Sequence, residues 1–178
     1  MSALNSWHHK VHEIPRAGIK QVREASPEIR EELAHELAIP ACNSLVADYR
    51  INNAGKGRFE LKGRVKAELT RSCVITLEPI AEKIDEPIDC SFVPPGLIPE
   101  NQTEEEEALA IEDLEPILQD RLDVGRIVYE VVAASMAPYP RIAGAEIDAA
   151  PDAEQEEESA KHPFAALEAL KQQKRDEP

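Results

Sequence analysis

The sequence predicts an α+β fold in which an antiparallel β-meander carries one or two helices on one face. Two observations predict this class. Apolar residues recur at every second position through much of residues 45 to 93, which is the period of a strand. Apolar stripes with helical spacing lie before and after that region, and each stripe follows an N-cap residue. An acidic loop and a flexible C-terminal tail complete the predicted architecture.

Three strands follow from the alternation, each with one apolar face and one polar face. Their apolar faces comprise Leu45, Ala47, Tyr49 and Ile51; then Phe59, Leu61, Val65, Ala67 and Leu69; then Ile84, Ile88, Cys90 and Phe92. A hairpin turn is predicted over residues 52–57, which tolerate positive φ, and Pro94-Pro95 ends the third strand. Residues 7–14 and 114–118 are predicted to be extended as well.

Helix signals flank these strands. Ser26 followed by Pro27 predicts the start of a helix, with a core-facing stripe of Ile29, Leu33 and Leu37 that ends before Pro40. Asp123 is the second predicted N-cap, and Pro138 is the second stop. The residues between them form a wide apolar face at helical spacing: Val124, Ile127, Val128, Val131 and Val132. Because most of these are β-branched, a strand is the alternative there.

Charge divides the chain unevenly. The net charge is −15, of which residues 1–99 contribute −1 and residues 100–178 contribute −14. We therefore expect one α+β domain over residues 1–145 with a mobile acidic loop at 99–108. An acidic linker over 146–160 and a short helical docking peptide over 161–178 are expected to follow.

Cysteine usage and hydropathy indicate a cytoplasmic protein. Cys42, Cys73 and Cys90 form no C-x-x-C pair and follow no signal-peptide pattern, so reduced and buried thiols are expected. The longest apolar stretch, residues 127–137, contains Glu130 and is too short to cross a bilayer. No membrane partner and no small-molecule substrate are predicted.

The C-terminal peptide has the composition of a docking element. Phe164, Leu167 and Leu170 share one face of a short helix, Lys171 follows them, and Pro163 suits the first turn. A helix of about nine residues is marginal alone in water, so folding coupled to partner binding is expected. The alternative is that the peptide packs back on its own domain.

A basic strand face is the candidate RNA contact. Residues 50–71 contain seven basic and two acidic side chains, and Arg58, Lys62, Arg64 and Lys66 share the polar face of the second strand. Evenly spaced cations on a sheet can contact phosphates. The alternative is an ordinary solvated strand face, whose charges discourage edge-to-edge aggregation. Base stacking is not expected, because no aromatic residue lies between these cations.

No catalytic residue and no metal site are predicted. His8, His9 and His12 form a local cluster, which is interpreted as an exposed strand end, because on a strand His8 and His12 lie about 13 Å apart. The sequence contains no G-x-S-x-G motif and no glycine-rich phosphate loop. Its carboxylates occur in runs such as residues 104–107, which are usually solvated. The protein is therefore predicted not to be an enzyme and to need no cofactor.

Three segments together resemble the YceD family, the large ribosomal RNA subunit accumulation proteins of bacteria. They are Leu69-Thr70-Arg71-Ser72-Cys73-Val74-Ile75-Thr76-Leu77-Glu78-Pro79-Ile80, then Leu122-Asp123-Val124-Gly125 leading to Pro138, and the ending Pro163-Phe164-Ala165-Ala166-Leu167-Glu168-Ala169-Leu170-Lys171. Many members carry a second Cys three residues after the first, which suits zinc. Thr76 occupies that position here, and residues 134–146 contain no Cys, so no zinc is expected. Cys73 is then interpreted as a small buried residue.

The resemblance implies a non-enzymatic role in making the large ribosomal subunit, through accumulation or processing of its RNA. The implied partners are pre-ribosomal large-subunit RNA, ribosomal proteins or assembly factors. The basic strand face and the docking peptide are the candidate contacts. The alternative function is an acidic adaptor or chaperone that holds a basic ribosomal protein and never touches RNA.

Overall fold

The computed structural model describes residues 3–98 and 113–146. The strands are β1 (His9–Lys10), β2 (Ile19–Glu24), β3 (Ala41–Gly55), β4 (Arg58–Ser72), β5 (Pro79–Val93), β6 (Leu114–Pro116) and β7 (Arg121–Leu122). The helices are α1 (Pro27–Glu36) and α2 (Val124–Ser135), with single 3-10 turns at Val11–Glu13 and Pro95–Leu97. Within the described residues, no helix is long and apolar enough to span a membrane.

Five strands form the main sheet in the order β2-β3-β4-β5-β6. The pairings from β2 to β5 are antiparallel, and β6 joins β5 in parallel. The consecutive 15-residue strands β3, β4 and β5 are the predicted meander. A separate two-stranded pair joins β1 to β7. The α+β class and the antiparallel meander are confirmed.

The core lies against one face of this sheet, which we call the inner face. All the apolar alternating residues predicted for β3, β4 and β5 are buried there. Leu33 and Ala34 of α1, and Ile127, Val128 and Val132 of α2, belong to the same buried cluster. Both helices therefore pack on the inner face, and the opposite, outer face carries the polar alternation.

The two helix starts are as predicted. The Ser26 hydroxyl accepts a hydrogen bond from the Ile29 amide at 3.4 Å, and an Asp123 carboxylate oxygen accepts one from the Arg126 amide at 3.2 Å. Each contact satisfies an amide that the first helical turn leaves without an intrahelical partner. Residues 124–135 are helical, so the strand alternative for this valine-rich segment is wrong.

Several boundaries differ from the sequence prediction. Within residues 7–14 only His9–Lys10 is a strand, because the Ile14 amide bonds to the Val11 carbonyl and closes a 3-10 turn. β3 continues to Gly55, so the predicted six-residue turn shrinks to Lys56 and Gly57, both with positive φ. β2 was not predicted, since its apolar residues do not alternate over enough positions. The acidic loop 99–108, the linker from residue 147 onward and the peptide 161–178 lie outside the described residues.

Candidate nucleic-acid interface

The outer face of the sheet displays a dense array of charges on β2, β3, β4 and β5. Strand register places seven cations there: Lys20, Arg50, Arg58, Lys62, Arg64, Lys66 and Lys83. It also places six carboxylates on the same face: Glu24, Asp48, Glu60, Glu68, Asp85 and Asp89. The excess of positive charge within residues 50–71 is therefore largely balanced by carboxylates that neighbouring strands contribute.

Three of the four candidate RNA-binding residues form ion pairs across β4 and β5. Lys62 Nζ lies 3.3 Å from an Asp89 carboxylate oxygen. Arg64 and Lys66 share Asp85: the Arg64 guanidinium binds one carboxylate oxygen, and Lys66 Nζ lies 3.8 Å from the other. Such exposed pairs contribute little to stability and are weakened further by salt.

Arg58, the fourth candidate, begins β4 opposite Gly55 at the hairpin end of the sheet. The structure thus brings Lys62, Arg64 and Lys66 together on one exposed strip, with Arg58 at its end. The single sequence could not show the pairing carboxylates, because Asp85 and Asp89 lie some twenty residues further along the chain and meet β4 only through strand register.

Arg71, which belongs to the same basic run, has a different position. It lies on the inner face at the far end of β4, where its guanidinium donates to a Glu82 oxygen at 2.8 Å and to the Ala137 carbonyl at 3.2 Å. Glu82 also accepts a hydrogen bond of 2.7 Å from the Ala137 amide. Both side chains are only about 15% exposed. This ion pair therefore binds the segment that follows α2 to the sheet, and it is not available to a ligand.

The histidine cluster does not form one site. His8 Nδ1 lies 2.8 Å from the Asn5 carbonyl, and His12 bonds to Asp120 at 2.7 Å. His9 is partly buried, and its Nε2 shares a hydrogen bond of 2.8 Å with the Tyr49 hydroxyl. Burial, and secondarily the nearby Arg23 cation, lowers the pKa of His9 to about 4. His12 is exposed but His9 is not, so the prediction of an exposed strand end is wrong for His9.

The three cysteines are free and buried, as the sequence predicted. Burial raises the pKa of Cys42, and it raises the pKa of Cys90 to about 12. Cys73 differs because its sulfur accepts hydrogen bonds from the amides of Thr76 at 3.4 Å and Ile142 at 3.5 Å. The Thr76 side chain, followed by these two amides, lowers the pKa of Cys73 to about 6. Cys73 is therefore a buried hydrogen-bond acceptor and not simply a small core residue.

Within residues 3–98 and 113–146, no group of three or more His, Cys, Asp or Glu side chains is arranged to hold a metal ion. The fold does bring residue 142 to Cys73, which lies in the loop between β4 and β5. Phe164, Leu167, Leu170 and Lys171, the candidate docking residues, lie outside the described part of the chain.

The chain matches a known protein family over more than half of its length. Residues 61–171 match the family model described as large ribosomal RNA subunit accumulation protein YceD. The chain belongs to the YceD family. The matched range includes most of β4 and all of β5, β6, β7 and α2, and it extends to Lys171. Searches of curated proteins and of solved structures found no significant match.

The family description connects this YceD chain with accumulation of the RNA of the large ribosomal subunit. The resemblance inferred from the three sequence segments is thereby confirmed. β2, α1 and β3 precede the matched range, so the exposed charges of β2 and β3 belong to the part of the domain that the family model does not include.

Proposed function

We propose that this YceD protein is a non-enzymatic, cytoplasmic factor that supports accumulation or processing of large-subunit ribosomal RNA. The observation that carries the proposal is the family match over residues 61–171. That range includes the charged outer face of β5 and of β4 from Lys62 onward, and it extends into the candidate docking peptide as far as Lys171. The proposal therefore uses both features, as a surface for pre-ribosomal RNA and as a contact for a ribosomal protein or assembly factor.

The RNA contact is assigned to the outer face. Both helices pack on the inner face, so the described residues leave the outer cations open to solvent. Arg58, Lys62, Arg64 and Lys66 would contact phosphate oxygens, and no cofactor is required. Because each ion pair there is exposed, exchanging its carboxylate for a phosphate leaves no buried charge without a partner.

Binding rather than catalysis fits the chemistry of this face. A general acid or base must be positioned to exchange a proton with a substrate. The outer carboxylates Asp48, Asp85 and Asp89 are each engaged by a neighbouring cation instead. The described hydrogen bonds of His9 and His12 are to Tyr49 and Asp120, and neither joins a Ser or Cys nucleophile.

The second candidate function is a protein-only adaptor that holds a basic ribosomal protein. Two observations favour it: the outer face is nearly balanced in charge, and the chain carries −15 overall, nearly all of it in residues 100–178. A strongly acidic chain attracts basic partners and repels nucleic acid at long range. Under this alternative the RNA effect of the family is indirect.

Depletion of the protein followed by complementation tests the proposal. We expect depletion to lower the ratio of large-subunit to small-subunit ribosomal RNA, measured on sucrose gradients and by quantitative hybridisation. The full chain should restore the ratio, and a chain ending at residue 160 should restore it only in part. An unchanged ratio on depletion would contradict the proposed function, and full rescue by the truncated chain would remove the docking peptide from it.

Crosslinking separates the two candidates. Ultraviolet irradiation of cells, denaturing purification of the tagged protein and sequencing of attached RNA report direct contact. We expect precursor large-subunit RNA to be enriched over an untagged control. Recovery of a ribosomal protein without RNA would favour the adaptor. Replacement of Arg58, Lys62, Arg64 and Lys66 by Ala should then leave function intact, whereas it should reduce RNA recovery if the outer face binds RNA.

A further inference from the structure

Strand register brings three cations into one row that crosses the outer face. Lys20 on β2 is the partner of Arg50 on β3, and Arg50 is in turn the partner of Lys62 on β4. Directly opposite side chains have Cβ atoms roughly 5 Å apart, so the row extends about 10 Å across three strands. All three side chains are exposed, with 69% exposure for Lys20 and 58% for Lys62. The single sequence conceals this row, because its members are separated by 30 and 12 positions.

Like charges directly opposite each other destabilise a sheet, so this row works against folding. Carboxylates compensate its two ends: Lys20 lies 3.7 Å from Asp48, and Lys62 lies 3.3 Å from Asp89. Arg50, between them, has no carboxylate within 4.0 Å in the described part of the chain. Arg50 therefore has an unpaired guanidinium and a like-charged neighbour on each side. This arrangement favours the binding of an anion at Arg50.

The other cations near the middle of the outer face, Arg64, Lys66 and Lys83, are arranged differently. Arg64 and Lys66 share Asp85, and Lys83 pairs with Glu68 at 2.9 Å. The residue opposite Arg64 on β3 is Asp48, and the residue opposite Lys66 is Val46, so no cation of this group has a like-charged partner on β3. Each of these three cations therefore has a carboxylate partner within the sheet, whereas Arg50 has none among the described residues.

We propose that Lys20, Arg50 and Lys62 form a phosphate-binding row that extends the RNA contact from β4 across the strands to β3 and β2. The inference rests on the proposed function, because it requires the chain to touch RNA. Arg50 is the centre of the row, since a guanidinium presents a fork of donors that matches a phosphate. Phosphates of a single strand follow one another closely enough for a row of about 10 Å to meet more than one. Binding through the backbone without aromatic stacking is independent of base sequence.

Two matched triple variants test the row. The first carries Lys20→Gln, Arg50→Gln and Lys62→Gln; the control carries Lys10→Gln, Arg16→Gln and Lys83→Gln. Both remove three positive charges from exposed positions of the full-length chain, and no control residue belongs to the proposed phosphate contacts. Far-UV circular dichroism and thermal melting establish that both variants fold. The probe is a fluorescein-labelled 20-nucleotide RNA of mixed sequence, and its affinity is measured by anisotropy between about 50 and 300 mM salt.

We expect the row variant to lose roughly ten- to hundredfold in affinity at about 100 mM salt. The slope of log affinity against log salt should become shallower by about 2, as three lost phosphate contacts predict for a single strand. The control should lose less than about threefold. The single change Arg50→Gln should account for the largest share of the loss, because Lys20 and Lys62 retain carboxylate partners.

Three results would overturn the row. Equal losses in both triple variants would show a general effect of net charge, and no loss in either would place the RNA elsewhere on the protein; each leaves the proposed function standing. If wild-type protein shows no affinity for this RNA or for a transcript of the large-subunit ribosomal RNA at 50 mM salt, the row and the direct RNA contact both fail. The protein-only adaptor would then be the function to pursue.

Discussion

The inner and outer faces of the meander come from the same alternating strands but differ in what their side chains contribute. On β4 the inner residues Leu61 and Leu69 are fully buried, whereas Lys62 and Lys66 between them are 58% and 65% exposed. Burying a leucine stabilises the fold by about 1.5–3 kcal/mol, while an exposed ion pair contributes about 0–1 kcal/mol. The inner face therefore determines the fold, and the outer face is available for binding.

Truncating the inner face should give the largest effect. We expect Leu61→Ala to lower the free energy of unfolding by about 3 kcal/mol, because it removes buried methyl groups and leaves a cavity that the strands fill only partly. Urea denaturation followed by circular dichroism measures the loss. Glu60→Ala, one position away on the outer face, is the matched control and should change stability by less than about 0.5 kcal/mol. Similar losses in the two variants would contradict the distinction between the faces.

The charged pair on the inner face should come next. Removing Glu82 takes away the carboxylate that pairs with the mostly buried Arg71 guanidinium and leaves that cation only the Ala137 carbonyl, so Glu82→Ala should cost about 2 kcal/mol. Asp89→Ala breaks a pair of the same kind on the outer face and should cost less than about 0.5 kcal/mol. A double-mutant cycle with Arg71→Ala measures the coupling; a coupling near zero would mean that the two side chains act independently.

The His9 contact makes stability depend on pH. The pKa of His9 is about 4 in the folded chain, below the value of about 6.5 for an unfolded His. Between these values the unfolded chain binds the additional proton, so stability falls as pH decreases from about 6.5 toward 4 and is unaffected above that range. Urea midpoints at pH 7.5 and pH 5 measure the decrease.

His9→Gln is the control for this dependence. It removes the titrating group, so the difference between the two midpoints should be smaller than in the wild-type chain, whatever the absolute stability of the variant. An unchanged difference would assign the pH dependence to other groups. A greater stability at pH 5 than at pH 7.5 in the wild-type chain, absent from the variant, would contradict the lowered pKa itself.

Much of the fold could be predicted because local signals agree with it. The caps at Ser26 and Asp123 and the alternation in β3, β4 and β5 specify their elements without reference to the rest of the chain. β2 was missed because its residues acquire a strand conformation only by pairing with a distant strand. Gly63 interrupts the apolar alternation of β4 for a similar reason: the Tyr49 backbone and side chain occupy the space that a Cβ would need.

The candidate site was less predictable than the fold. The sequence identified cations along β4, because neighbours on one strand are visible in a single segment. It could not show that Asp85 and Asp89 pair with them, or that Lys20 and Arg50 extend the row beside Lys62. Those relations depend on the register of four strands, which is a property of the assembled sheet.

The smallest effect on stability is expected for a change at Asp85. This change tests most directly whether the outer face serves binding and not folding. Asp85→Asn leaves Arg64 and Lys66 without their shared carboxylate, yet all three groups are half exposed, so stability should change by less than about 0.5 kcal/mol. RNA affinity should rise by about two- to fivefold, because two cations become available to phosphates. Asp48→Asn should act in the same direction by releasing Lys20 within the row. A fall in affinity with either variant would show that these carboxylates position their cations for RNA instead of competing with it.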